Sequence, residues 1–239
     1  MSEKAKIVTL GSTYFNGRPV EAGSNLDKAT LSIGNTIPSL ELKWIQDGDV
    51  LIAQRCVCTK VSWQQLNQLN YIFGEVIYID GRPYLCRSLQ VGGLSGVTNE
   101  WDTLLDKYGN DDILWYWRAE WFWGQDMPPE MSNVRAVRGN RTPRNWRVAD
   151  ADELDPRIGF RPVLEPLSPA PADFSPLLGK RIRLYGPENK CISGILANAD
   201  TYDLVLSGAC ILPEKVVWVV QKDGETIIQR DVINWIRKE

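Results

Sequence analysis

Apolar and polar residues alternate with a period of two over several short stretches of the chain, which is the pattern of half-buried β-strands. The stretches Lys6–Leu10 and Val50–Val57 show it clearly. Turn signals at Asn16-Gly17 and Gly34-Asn35 separate further strand-like segments near the N-terminus. We therefore predict a β segment over residues 1–45 that packs on the domain that follows it.

A β-hairpin and a short helix are predicted in the next part of the chain. Asp80-Gly81 separates two alternating runs, Glu75–Ile79 and Arg82–Arg87, and is a typical two-residue hairpin turn. Before the hairpin, Ser62 and Gln65 have the spacing of a capping box, which opens a helix of about two turns.

A second helix is predicted over Glu100–Tyr108, where the apolar residues recur at i, i+3, i+4 and i+7. Asn99 is a favourable N-cap, and Gly109 ends the helix. Many strands with few helices indicate a mixed α+β fold class.

The densest aromatic segment runs from Trp115 to Trp123 and contains four tryptophans at odd positions, so that on a single strand they would face one way. The first interpretation is a core strand with its packing layer. The second is a stacking platform for bases or sugars. Trp117 and Trp121 are the candidate contacts for the second interpretation.

Five arginines recur at every third position after this segment, with no acidic residue among them. Gly139 and Pro143 interrupt any continuous helix, so we expect loops and strands to present the arginines. They could bind carboxylate or phosphate, or form ion pairs with the acids at positions 150–155. The candidate ligand-binding residues are Trp117, Trp121, Arg135, Arg138, Arg141, Arg144, Trp146 and Arg147.

A proline-rich segment at residues 168–176 is interpreted as a semi-rigid linker. It separates a domain at residues 46–167, rich in Trp and Arg, from residues 177–239, which are rich in β-branched side chains. The last 63 residues alternate over short runs, which include Lys215–Val220 and Val232–Ile236, and Gly194 would permit a strong bend in another of them. We expect a small five-stranded β-barrel there.

Composition changes this picture mainly by exclusion. The net charge is −3 and the pI is about 5.3, so any surface for nucleic acid must be local. The chain contains no histidine, which excludes His-dependent nucleophiles, imidazole bases and His metal sites. No apolar run has the length of a membrane span, and Met1–Lys6 lacks the layout of a signal peptide, so we expect a cytoplasmic protein without a membrane partner.

The five cysteines do not form a disulfide framework or a zinc set, because only Cys56 and Cys58 lie close together. Strand alternation would place both thiols on one face, as small apolar side chains. The acids at positions 150–155 lack the spacing of a calcium loop. We predict neither a metal nor a cofactor.

The runs Val134–Gly139, Asn145–Arg147 and Ile158–Leu164, the last containing Gly-Phe-Arg-Pro-Val, resemble the end of a formylglycine-generating-enzyme-type domain. Such domains are a branch of the C-type-lectin-like fold, and the resemblance covers about residues 45–167. The enzymes of this family use a redox cysteine pair, or an iron site with His, near the domain end. No cysteine lies between Cys86 and Cys191 here, so the resemblance implies the branch that uses the fold as a scaffold for binding loops.

The C-terminal region, about residues 177–239, resembles an Sm/Hfq-like (SH3-like) barrel. Its first motif is similar to Gly194–Leu206, with Asp200 and Tyr202 in it, and its second to Ile227–Ile233, with Arg230. The resemblance implies ring assembly through edge strands and a nucleotide or RNA site at Asp200, Tyr202 and Arg230. Asp203 replaces the usual asparagine and would repel phosphate.

The leading hypothesis is therefore a non-enzymatic binding protein. A lectin-like scaffold would present the Trp/Arg surface to a protein or an anionic small molecule, and the barrel would assemble a homo-oligomer, which raises avidity. The occurrence of the first family in phages and mobile elements implies a host-interaction or counter-defence role. The alternatives are an RNA-binding protein that uses the barrel, and an enzyme with Asp111, Asp112 or Glu120 near Arg135 and Arg138.

Overall fold

The computed structural model describes residues 4–94, 96–129, 131–210 and 216–239. The chain divides into two compact units, Met1–Glu165 and Pro166–Glu239. In the described parts of both units β-strands dominate, and three short α-helices lie in the first unit. The mixed, mostly-β character expected from the sequence is confirmed at this level.

The N-terminal unit contains fifteen strands and three helices within the described residues. In chain order the strands are β1 (Lys6–Thr9), β2 (Ser12–Phe15), β3 (Arg18–Val20), β4 (Ser24–Asn25), β5 (Leu31–Gly34), β6 (Lys43–Asp47), β7 (Val50–Ala53), β8 (Cys58–Thr59), β9 (Glu75–Ile79), β10 (Arg82–Ser88), β11 (Trp121–Trp123), β12 (Val134–Gly139), β13 (Trp146–Asp150), β14 (Ile158–Phe160) and β15 (Pro162–Pro166). The helices are α1 (Trp63–Gln68), α2 (Glu100–Tyr108) and α3 (Asp112–Trp115).

Two six-stranded sheets and one three-stranded sheet form this unit. The strand orders are β1-β6-β7-β15-β10-β9, β13-β12-β11-β14-β8-β4 and β3-β2-β5. In the first sheet β7 pairs antiparallel with β15, which places Ile52 opposite Val163. In the second sheet β14 runs parallel to β11 and antiparallel to β8. The segment from Ile158 to Pro166 therefore supplies an interior strand to each large sheet.

Alternate residues of the interior strands enter two separate hydrophobic cores. On β6, Trp44 lies in the first core and Ile45 in the second. On β11, Trp121 and Trp123 lie in the first core and Phe122 in the second. Because side chains alternate between the faces of a strand, a strand that is apolar on both faces can separate two cores. Near-continuous apolar runs in this unit follow from that arrangement.

The predicted helices and hairpin are confirmed. The Ser62 hydroxyl accepts a hydrogen bond from Gln65 N at 3.1 Å, and the Gln65 side chain accepts one from Ser62 N at 3.0 Å, so the capping box of α1 is complete. Asn99 caps α2 by accepting from Asp102 N at 2.9 Å. Asp80 and Gly81 both have positive φ, as a two-residue hairpin turn requires.

The prediction of one strand over Trp115–Trp123 is wrong. Asp111 caps the short helix α3, which ends at Trp115, and the left-handed Tyr116 (φ 43°) then turns the chain. Only Trp121–Trp123 form a strand. The four tryptophans therefore do not share a face, because Trp115 packs in the second core and Trp121 and Trp123 in the first.

The prediction that Cys56 and Cys58 share one face of a strand is also wrong. The strand breaks after Ala53, and the two thiols enter different cores. Burial raises the pKa of both thiols, that of Cys58 to about 12. Each acts as a small apolar side chain in its own core.

Within the residues that the structure describes, the C-terminal unit is a seven-stranded sheet with three 3₁₀ turns. Its strands are β16 (Ser168–Pro169), β17 (Arg181–Tyr185), β18 (Cys191–Ala199), β19 (Asp203–Ser207), β20 (Val219–Lys222), β21 (Glu225–Gln229) and β22 (Trp235–Lys238). The 3₁₀ turns are Ser175–Leu177, Pro187–Asn189 and Arg230–Val232. The strand order is β16-β22-β17-β18-β19-β21-β20, with a register shift between Leu196 and Asn198 in β18.

This unit differs from the expected five strands in three places. The proline-rich segment 168–176 adds β16 at one edge and buries Phe174 in the core. The strand expected over Lys215–Val220 begins at Val219, and Lys215 lies outside the described residues. The strand expected over Val232–Ile236 is divided into a 3₁₀ turn and β22, because the turn at Arg230 redirects the chain.

Candidate functional site

The five recurring arginines lie on the hairpin formed by β12 and β13. Arg135 and Arg138 lie on β12, Arg147 lies on β13, and Arg141 and Arg144 lie in the connecting loop. Loop-and-strand presentation, as expected from Gly139 and Pro143, is confirmed. The period of three has no structural meaning here, because the arginines point to different surroundings.

Arg138 is a buried anchor. Only 2% of the residue is exposed, and its guanidinium forms an ion pair with Asp102 on α2. The other Asp102 oxygen accepts a hydrogen bond from the Asn99 amide at 2.6 Å. Burial lowers the pKa of Arg138, and Asp102 opposes that shift. Of the two alternatives for the arginines, Arg138 shows the ion pair, and its guanidinium holds the hairpin to the helix.

Arg144 stands beside this pair at the surface. Its guanidinium lies 3.4 Å from the Asp102 carboxylate and 2.5 Å from that of Asp106. The arginine partners therefore come mainly from α2 and not from the acids at 150–155. Arg147 is the exception, since its guanidinium lies 3.4 Å from Glu153.

A groove of about 380 Å³ opens between the start of α2 and the hairpin loop. Thr98 and Thr103 line it together with the two arginines and two aspartates just described. Two positive and two negative side chains line it, so the groove presents hydrogen-bonding groups with little net charge. It is lined by Gly96, Val97, Thr98, Asp102, Thr103, Asp106, Arg138 and Arg144.

The loop that supplies Gly96, Val97 and Thr98 to the groove packs against a second loop, which contains Asp126 and Met127. Asp126 accepts hydrogen bonds from Val91 N at 2.5 Å and from Gly92 N at 3.0 Å. The Trp146 indole donates to the Gly92 carbonyl at 2.9 Å. The loops pack so closely that a Cβ at Gly93 would lie 2.7 Å from the Met127 carbonyl oxygen. The predicted residue Trp146 therefore positions a loop.

Four large apolar side chains in these loops are about half exposed. We call Leu94, Val97, Met127 and Met131 the loop patch. Sequence reasoning missed them, because no periodicity marks apolar residues in loops rich in Gly and Pro. The available signal was an apolar residue flanked by such breakers, as at Leu94.

The aromatic residues proposed as a stacking platform have structural partners. Trp121 is 6% exposed, and the Arg147 guanidinium lies 5.0 Å from its ring centroid. Arg135 covers the Trp63 ring in the same way at 4.1 Å. Trp117 is half-buried and donates to the Asn110 carbonyl at 2.9 Å. Of the predicted residues, Arg141 and Arg144 remain the most exposed.

In the C-terminal unit the structure brings Asp200, Tyr202 and Arg230 together. The Asp200 carboxylate accepts from Tyr202 N at 2.7 Å and from Asp203 N at 2.8 Å, and these bonds lower its pKa. The Arg230 guanidinium donates to the carbonyls of Asp200 and Ala172. Tyr202 is 78% exposed. The arginine and the aspartate thus build the turn, and the tyrosine ring is presented on it.

The acids considered for catalysis are not joined to Arg135 or Arg138. Asp111 caps α3 by accepting from Ile113 N at 2.9 Å, and Asp112 accepts from Arg118 N at 2.8 Å. Glu120 lies 3.1 Å from Arg55 instead. Across the described ranges no three Cys, Asp or Glu side chains cluster closely enough to hold a metal ion.

No helix in the described part of the chain combines the length and apolar character that a membrane crossing needs. Comparisons of the chain with protein-family models, curated proteins and solved structures found no match. The residues themselves therefore carry the functional argument.

Proposed function

We propose that this is a non-enzymatic binding protein whose N-terminal unit holds a protein partner at the groove and the loop patch. The main support for this proposal is the exposure of the apolar side chains in the loop patch. Scattered apolar residues are normal on a surface, but four in two loops that contact each other, one of which lines a groove, are typical of an interaction site. Met and Arg are enriched at protein interfaces, and both residue types occur here.

The geometry favours a protein over a small anion. Both Asp102 oxygens already accept hydrogen bonds, and a small anion would have to displace this carboxylate from Arg138. Removing a charged partner from a buried guanidinium is unfavourable. Arg141 is exposed and has no acidic partner within the described residues, so it can meet an acidic group at the rim of the partner's surface.

The resemblances noted in the sequence supply the finer architecture of this proposal. A lectin-like scaffold in the N-terminal unit would display the two loops on a rigid sheet, as binding sites on loops commonly require. A host-interaction or counter-defence role and a cytoplasmic location follow from the resemblance and composition. Buried thiols, such as those of Cys56 and Cys86, support a reducing compartment.

We further propose that an Sm-like C-terminal unit assembles copies of the chain. Strand β20 is the last strand of its sheet and pairs only with β21 among the described residues. Val217 and Val220 near this edge are exposed. An exposed apolar edge strand is a template for pairing with another chain. Assembly would multiply a weak contact of the N-terminal unit.

The partner site is tested with a double variant of the loop patch, Val97→Asp with Met127→Asp. The matched control is Ile7→Asp, which changes an equally exposed apolar residue on β1. Proteins that bind the wild type are identified, purified and titrated with all three forms. We expect at least a tenfold weaker affinity for the double variant. Equal affinity of all three forms refutes the proposal, and binding that is lost only with Arg144→Gln indicates an anion site instead.

Self-association is tested by sedimentation velocity over a range of concentrations. We expect the wild type to form oligomers and Val220→Lys to stay monomeric, because a charge on an edge strand blocks pairing. Glu225→Lys, on neighbouring β21, is the charge control and should assemble like the wild type. A monomeric wild type at all concentrations overturns this part of the proposal.

A second candidate, RNA binding, is supported by the exposed Tyr202 ring. Stacking of a base on an aromatic ring contributes about 1–3 kcal/mol. The test is titration of a single-stranded RNA at several salt concentrations. Affinity that falls steeply with salt and at least tenfold with Tyr202→Ala would favour this function. Affinity unchanged by Tyr202→Ala would remove it.

A further inference from the structure

A smaller cavity of about 180 Å³ lies in the N-terminal unit, away from the residues that line the groove. The start of β6, the segment after β7 and the end of α3 surround it. Ala22, Leu42 and Val57 form an apolar wall, and the Tyr116 ring forms another. Lys43 and Arg55 also line this cavity.

Neighbouring residues hold the guanidinium of Arg55 in a fixed position at this cavity. A Cβ at Gly23 would lie 2.9 Å from the guanidinium carbon, so the guanidinium rests directly on the glycine backbone. One edge of it donates to Glu120 at 3.1 Å, and its face lies 5.6 Å from the Tyr116 ring centroid. Three neighbours therefore fix the orientation of Arg55, which is the arrangement that pre-organises a binding group.

The ion pair between Arg55 and Glu120 does not use all of the hydrogen-bonding atoms of the two side chains. Arg55 Nε and Glu120 Oε2 are both buried and have no hydrogen-bond partner within the described residues. A pair optimised for stability would use both carboxylate oxygens in a bidentate contact. Buried polar groups without partners are rare, and each calls for an explanation. Arg55 nonetheless keeps 39% of its side chain exposed toward solvent and the cavity.

A second arginine fixes the walls of the cavity. Arg161 is fully buried and donates to the carbonyls of Gln54 at 2.8 Å, Ala53 at 3.2 Å and Tyr116 at 3.3 Å. Its guanidinium thus links the strand side of the cavity to the residue that carries the aromatic wall. Arg161 belongs to the Gly-Phe-Arg-Pro-Val run, whose structural role is thereby explained.

Tyr116 is held in an unfavourable backbone conformation. Its φ of 43° and ψ of 50° lie in the left-handed region, which large residues seldom adopt. Such strain costs about 1–3 kcal/mol, persists only when the surroundings enforce it and concentrates at functional sites. Here the strained residue presents an aromatic ring to Arg55.

From this arrangement we propose that the cavity binds a small monocarboxylate with an apolar body, such as an aryl or alkyl acid. The carboxylate meets Arg55 and Lys43, and the body lies between Tyr116 and the aliphatic wall. The cavity has room for a ligand of roughly ten non-hydrogen atoms, for which millimolar affinity is expected. Glu41 at the rim weakens binding of an anion. This site does not depend on the function proposed for the groove.

Binding of para-fluorobenzoate to the full chain is measured by fluorine NMR. We expect saturable binding, at least tenfold weaker binding of the neutral para-fluorobenzamide, and weaker binding of inorganic phosphate, which lacks the apolar body. Arg55→Gln should lower the affinity at least tenfold, because it removes the charge-assisted contact. The exposed Arg82→Gln is the matched control and should not change it.

Two further variants keep the test informative if Arg55→Gln is poorly folded. Tyr116→Asn tolerates the left-handed conformation and removes the aromatic wall, so it should weaken binding several-fold. Glu41→Gln should strengthen binding about twofold to threefold, by removing a like charge. Absence of benzoate binding, equal binding of phosphate, or affinities unchanged by Arg55→Gln or by Tyr116→Asn would each overturn the proposal.

Discussion

Replacing Arg87 by methionine should remove about 3–5 kcal/mol from the free energy of unfolding of the N-terminal unit, because it removes the guanidinium that pairs with a buried carboxylate. Arg87 on β10 lies 2.6 Å from Glu165 at the end of β15 and 2.7 Å from Glu100 at the start of α2. Glu165 is 2% exposed, and Arg87 keeps 12% of its side chain exposed. The guanidinium thus joins two strands and a helix in a poorly solvated place.

The expected loss of stability is larger for this buried network than for an ion pair at the surface. Arg157→Met removes a pair of similar length, 2.7 Å to Asp155, but Arg157 is largely exposed and this variant should unfold close to the wild-type midpoint. The double variant Arg87→Met with Glu165→Met should recover much of the single variant's loss, since apolar replacement of a buried pair is often neutral.

The assay is urea unfolding followed by tryptophan fluorescence, to which the N-terminal unit contributes eight of the ten tryptophans. With a slope of about 2–3 kcal/mol per molar urea, the midpoint of Arg87→Met should fall by about 1–2.5 M. A fall no larger than that of Arg157→Met, or a double variant with a greater loss than Arg87→Met, would refute the reasoning.

Three further predictions concern the cores and the helix cap. Burial raises the pKa of the Cys58 thiol from 9.0 to about 12, so the free energy of unfolding that this protonated thiol contributes is complete below pH 9 and is lost as the pH rises toward 12. Urea unfolding at several pH values should show a flatter decline of stability for Cys58→Ala than for the wild type, and parallel curves would contradict this. Ser62→Ala should lower the free energy of unfolding by about 1 kcal/mol, because it removes the hydroxyl that caps α1. Ser62→Thr keeps a hydroxyl, so equal unfolding midpoints of the two variants would show that the cap does not stabilise the protein. Gly159→Ala should lose about 1–3 kcal/mol by overpacking, since its Cβ would clash with the Cys58 carbonyl oxygen and lie 2.9 Å from Cys56 Sγ. Thermal unfolding measures the loss, and an unchanged midpoint would contradict this prediction.

Local chemistry made α1, α2 and the 75–87 hairpin predictable. A capping box, an N-cap asparagine and an Asp-Gly turn each satisfy their hydrogen bonds within a few residues, so no tertiary information is needed. The segment after Asp111 was not predictable in the same way. Its aromatic residues alternate as they would on a strand, and only the packed cores show that a helix and a left-handed Tyr116 interrupt it.

The candidate sites depend on pairings that are distant in the sequence. Arg138 pairs with Asp102, and Arg55 pairs with Glu120, in both cases across more than thirty residues. No spacing rule connects such residues, because the fold alone decides which charges meet. The sequence shows five arginines at every third position, but only the three-dimensional structure shows their partners on α2 and the exposed loop patch.

The placement of β14 and β15 has a consequence for synthesis of the protein. Both strands lie inside their sheets, yet they come from the last residues of the N-terminal unit. Until about residue 166 has left the ribosome, the nascent chain carries β7 and β10 with unpaired edges, which are prone to wrong pairing. We therefore expect this unit to fold only near the end of its own translation, and fragments that stop before Ile158 to aggregate.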